Sequence, residues 1–107
     1  MAEQINTIEL ISSERGGVTI TGIPDNGSYI VLVSDQNPEG ASAIFMVTAA
    51  KNKGGRVFRA SNSEGSSSEQ LTILWYAGIS PVLTYATPPK DEGNRTFKLK
   101  VIGIDDL

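Results

Sequence analysis

A chain of 107 residues with net charge −3 and only nine scattered Lys and Arg residues has room for one hydrophobic core and offers no basic stripe to nucleic acid. It has no cysteine and no histidine, which excludes disulfide scaffolds, thiolate metal sites and Cys or His catalysis. Its apolar runs, such as YIVLV, fall far short of the ~20 residues of a membrane helix, so no membrane insertion is expected, and MAEQINTIEL carries no secretory signal.

In chain order the apolar segments are INTIELI (5–11), GVTITGI (17–23), SYIVLVS (28–34), SAIFMVTA (42–49), RVFRAS (56–61), QLTILWYA (70–77), PVLTYA (81–86) and RTFKLKVIGI (95–104). Turn signals separate them: ERGG, PDNG, DQNPEG, KNKGG, SNSEGSSS, ISP and PPKDEGN. Short strand-like runs at this spacing, with no long helical period, predict an all-β fold, an antiparallel β-sandwich or jelly-roll-like barrel of about eight short strands. One domain spans 1–107. The alanines of SAIFMVTAAK would suit a helix, but its Ile, Phe, Val and Thr content and the following KNKGG favour a strand. PDNG reads as a turn, and KNKGG and ERGG as hairpins with glycines at positive φ.

Alternation assigns the faces. In the last segment Phe97, Leu99 and Val101 share one face and Thr96, Lys98 and Lys100 the other, the pattern of a half-buried strand. YIVLVS, AIFMV and LTILWY are apolar on both faces. Such strands need cover on both sides, and about eight strands supply only one, so the second cover is expected from another protein chain.

Candidate chemistry is sparse. The acids fall mostly in turn segments (Glu14, Asp25, Asp35, Glu39, Glu64, Asp91 and Glu92), where solubility and Asx-turn geometry already account for them. No enzymatic activity and no cofactor are expected. Calcium could find oxygens in PDNG, DQNPE or the terminal IDD, but no D-x-[DN]-x-[DN]-G spacing occurs and no metal is assigned. The sequons at Asn26 and Asn94 are read as turn asparagines. Most of the aromatic residues, Tyr29, Phe45, Phe58, Trp75, Tyr76, Tyr85 and Phe97, lie inside strands, where core packing explains them. The candidate interface or ligand-contact residues are Tyr29, Trp75, Tyr76 and Tyr85. Trp75 and Tyr76 point to opposite faces of one strand and cannot share a flat platform. Trp75 is expected toward a core and Tyr76 toward a partner.

Taken in order, GSYIVLVS, SAIFMVTAA, RVFRAS, EQLTILWYAGISPVLTY and RTFKLKVIG resemble the small β-modules of viral surface proteins, the terminal domains of tail fibres and spikes and the proteins that decorate capsids. The resemblance runs from about Gly17 to Ile104 and rests on the order of strands and on the QLTILW and PVLTY pair. It implies a compact sandwich or jelly roll, commonly a homotrimer, without enzymatic activity, located in a phage or other virion. Its partners would be copies of itself and other virion proteins, with segments 1–16 and 103–107 as pairing arms. The free-standing start at Met1 points to a separate virion component over a fibre tip. The alternative expectation is a carbohydrate-binding, lectin-like module that takes a host-surface glycan near Trp75, Tyr76 and Tyr85.

Overall fold

Among the residues the structure describes, the alternating segments form eight antiparallel strands. The computed structural model describes residues 5–12, 17–21, 23, 26–36, 41–62, 71–85 and 95–103. Among these no helix occurs. The strands are β1 (Ile5–Ser12), β2 (Val18–Thr19), β3 (Gly27–Asp35), β4 (Ser42–Ala50), β5 (Gly54–Asn62), β6 (Leu71–Leu74), β7 (Val82–Tyr85) and β8 (Arg95–Gly103). The alanine-bearing segment 42–50 is strand β4, as its β-branched and aromatic content requires.

A five-stranded sheet has the order β1-β8-β3-β4-β5 and a three-stranded sheet the order β2-β7-β6. The two form a β-sandwich. Strands β3, β4 and β5 are a meander, whereas β1 pairs with β8 and β2 with β7. The chain therefore crosses between the sheets four times, from β1 to β2, from β2 to β3, from β5 to β6 and from β7 to β8. The segment 1–16, expected as an arm for a neighbouring subunit, contains β1, whose ladder runs to β8 of the same chain from Ile5↔Ile102 to Ser12↔Arg95. The rest of that arm, and residues 104–107, lie outside the described residues. So do ERGG up to Gly16 and the first two residues of PDNG.

The core lies between the inner faces. Tyr29, Val31 and Val33 of β3, Ala43, Phe45 and Val47 of β4, and Phe97, Leu99 and Val101 of β8 face Leu71, Ile73, Leu83 and Tyr85 of the small sheet, and all are buried. The period of two in these strands is what lines each set up on one face. Burying each such side chain contributes roughly 1.5–3 kcal/mol before the loss of chain entropy is counted. In β8 the face with Lys98 and Lys100 is exposed, as the alternation requires.

One side of the sandwich is tied across the sheets. The Gly55 N–H donates to the Trp75 carbonyl at 3.2 Å, and Arg59 Nη1 donates to the Leu71 carbonyl at 2.9 Å. A bulge follows directly: Phe45 pairs with Arg59 and Ile44 with Ser61, so Ala60 is the extra residue and the strand parity switches there. The β4–β5 hairpin turns through Lys51-Asn52-Lys53, with Lys53 N–H donating to the Ala50 carbonyl at 2.9 Å and with Asn52 and Gly54 at positive φ. Of the two glycines in KNKGG, only the first occupies a left-handed conformation.

Candidate interaction surface

Strand pairing places the outward side chains of the large sheet in straight cross-strand rows. Ile102 of β8 pairs with Ile30 of β3, Ile30 with Met46 of β4, and Met46 with Phe58 of β5. The next row is Lys100, Leu32, Ile44 and Ser61. The first row is apolar across four strands and the second at its two middle positions, Leu32 and Ile44, and together these six residues form an apolar belt. Polar rows border it on both sides: Glu9, Lys98, Ser34 and Ser42 on one, Ser28, Thr48 and Arg56 on the other.

The belt is open to solvent. Phe58 is 67 %, Met46 50 % and Ile44 38 % exposed, and Ile30, Leu32 and Ile102 are half-buried by their neighbours. A depression of about 500 Å³ lies on this face, lined among others by Leu32, Ser34, Ser42, Ile44, Lys98 and Lys100. Serines line one end of it, and their hydroxyls are engaged: Ser42 Oγ donates to Ser34 Oγ at 3.3 Å, and Gln36 Nε2 donates to Ser34 Oγ at 3.0 Å. Isolated exposed apolar residues are ordinary, but a contiguous belt is the kind of feature that marks a contact surface.

Phe58 was expected in a core because it is an aromatic residue in a strand. The structure turns it outward. Val57 and Arg59 take the inner positions of β5, and Arg59 is held there by its bond to Leu71. Composition alone cannot anticipate an inward arginine beside an outward phenylalanine.

Of the four candidate contact residues, Tyr29, Trp75 and Tyr85 are buried and Tyr76 is 63 % exposed. The Tyr29 hydroxyl donates to the Asn26 carbonyl. Trp75 packs against the Gly54-Gly55 backbone, where a Cβ built on Gly55 would come 2.6 Å from its Cε3 atom. Trp75 and Tyr76 occupy opposite sides of the segment, and Leu74 and Ile79 are exposed with Tyr76. The rings are not brought together as one platform.

Tyr85 belongs to a polar cluster that the turn reading of Asp35 did not anticipate. Asp35 is the last residue of β3 and Arg95 the first of β8, and both are buried. Arg95 Nη1 and the Tyr85 hydroxyl both donate to Asp35 Oδ2. The Ala41 N–H reaches the Tyr85 oxygen at 3.3 Å, and the Arg95 guanidinium carbon sits 5.6 Å from the centre of the Tyr85 ring. The cluster thus joins the ends of β3 and β8 in the large sheet to the end of β7 in the small one. Parity was the available signal. Asp35 continues the inward series Tyr29, Val31, Val33, and Arg95 begins the series Phe97, Leu99, Val101.

Burial, reinforced by the hydrogen bond to Asp35, pushes the Tyr85 phenol well above its ordinary value. The folded state therefore holds that proton more tightly than the unfolded state. The stability this contributes is present below pH ~10, where free tyrosine titrates, and is lost as the pH rises above it. Urea midpoints measured between pH 8 and 11.5 are expected to fall above pH ~10. The Tyr85→Phe variant should show a shallower fall over the same interval, and equal slopes would contradict this role.

Among the described residues no group of three His, Cys, Asp or Glu could hold a metal ion, and no helix is long and apolar enough to cross a membrane. The expected turn acids Glu14, Asp25, Glu39, Glu64, Asp91 and Glu92 lie outside the described residues. Comparison of the chain with protein-family models, with curated proteins and with solved structures yields no match.

Proposed function

We propose that this protein is a non-enzymatic structural module that works through contacts with copies of itself and with other proteins of an assembly, in the manner of the viral fibre, spike and decoration modules it resembles. The observation that supports this reading is the apolar belt on the outer face of the large sheet. A sandwich needs only its inner faces for folding, and apolar residues in register across four outward positions add nothing to that core. They gain stability only when a second surface covers them. The polar cluster of Asp35, Tyr85 and Arg95 fits the same reading, because its carboxylate is engaged inside the protein by two donors and is placed to clamp the sheets.

Static light scattering at tens of micromolar tests the proposal. The expected result is a mass of at least twice that of the 11.4 kDa chain. A strictly monomeric, fully soluble species across that range would falsify it. The lectin-like alternative has less support, since Tyr76 is the one candidate ring with an open face.

A further inference from the structure

Resting on this reading, we infer that the outer face of the five-stranded sheet is a two-fold self-pairing surface, and that its occupant is the same face of a second copy. The inference comes from the pattern of the rows. Consider a two-fold axis lying between two packed sheets, running across the strands midway between the Ile30–Met46 row and the Leu32–Ile44 row. The rotation lays each row over the other in the partner copy. Ile30 then faces the partner's Leu32, and Met46 faces the partner's Ile44. The flanking polar rows also meet each other, Ser34 over the partner's Ser28 and Ser42 over the partner's Thr48. Lys100 comes over the partner's Ile102, where its methylene stem covers apolar surface while the ammonium reaches the rim. Among the described residues no lysine or arginine is set against its like. Residue i meeting j while j meets i is what an isologous contact requires.

Size agrees. Four of the five strands are nine residues long. Five strands ~4.8 Å apart and ~30 Å long make a face of roughly 700 Å², close to the ~800 Å² per partner of a stable interface. The other exposed apolar group, Leu74, Tyr76 and Ile79, sits at the end of the small sheet and has no comparable run of rows.

Face pairing gives even stoichiometry, a dimer or a larger assembly built from such pairs. The test uses the full chain and single substitutions at outward positions, with mass read by light scattering after gel filtration over a range of concentrations. Met46→Glu and Ile44→Lys should each weaken association roughly 100-fold, since each buries two unpaired charges per pair. Tyr76→Lys should leave association unchanged. Mixing Met46→Glu chains with Ile44→Lys chains should restore association above either variant alone, because the rotation brings those two positions into register as opposite charges. If the native chain is monomeric, the structural reading and the face pairing both fall. If it is oligomeric but indifferent to Met46→Glu and Ile44→Lys, or if it forms odd-numbered rings with this face open, the structural reading stands and the face pairing is wrong. If each variant dissociates and the mixture stays dissociated, the register is overturned.

Discussion

Asp35→Ala is expected to destabilise the protein by about 3–5 kcal/mol, the range for removing one partner from a buried ion pair. The carboxylate accepts from both Arg95 and Tyr85 at the meeting of three strand ends, so its loss takes an acceptor from two buried donors at once. A domain of this size holds roughly 5–15 kcal/mol in total. The change should therefore bring the folded state close to its limit, read as the urea midpoint with the slope unchanged. Asp35→Leu combined with Arg95→Met should recover much of the loss, because an apolar pair of similar volume removes the charges together. Tyr85→Phe should cost about 1 kcal/mol, the net value of one hydrogen bond. If Asp35→Ala proved neutral, the cluster would not be the tie between the sheets that its geometry describes.

Gly54→Ala should cost roughly 2–4 kcal/mol, combining left-handed backbone strain with overpacking. The residue has φ +75°, and a Cβ there would stand 2.7 Å from the Trp75 carbonyl oxygen and 2.7 Å from the Tyr76 carbonyl carbon. Those are backbone atoms of the segment that follows β6, so no rotamer change relieves the clash. Gly78 supplies the control. Its φ of +76° is nearly the same, but nothing lies within 4 Å of its built Cβ, so Gly78→Ala carries only the conformational part, about 1 kcal/mol. The difference between the two melting temperatures measures the collision itself. Because the displaced segment carries Trp75, the Gly54→Ala protein should also emit at longer wavelength than the native one, while Gly78→Ala should not. Equal melting temperatures would mean that the β5–β6 side can open without penalty.

The strands were legible because β-branched and aromatic runs alternate with clusters of Gly, Asn, Pro and Ser, and each type acts locally. The two-sided apolarity of β3 and β4 was legible for the same reason: Ile30, Leu32, Ile44 and Met46 are out of phase with Tyr29, Val31, Phe45 and Val47. Position in a row was not legible, because Ile102, Ile30, Met46 and Phe58 become neighbours only through registers set by distant pairings. Two local rules also misled. A turn-rich context assigned Asp35 to solvent although its parity continued the buried series, and aromatic character assigned Phe58 to the core although the hairpin register pairs it with the outward Met46 and sets Val57 and Arg59 inward.

The position of β8 between β1 and β3 has a consequence for how the chain is made. An interior position of the large sheet, between the edge strand β1 and the central β3, is filled by β8, the last of the described strands in chain order. Until residues 95–103 are synthesised, β1 has no neighbour in its sheet, and β3 presents a row of unpaired N–H and C=O groups beside apolar side chains. A nascent or truncated chain that ends before Arg95 thus leaves β1 unpaired and the β3 edge of the meander open, an arrangement prone to pair with another chain. Productive folding of the large sheet must wait for β8, and long-range pairing of this kind is slow to close.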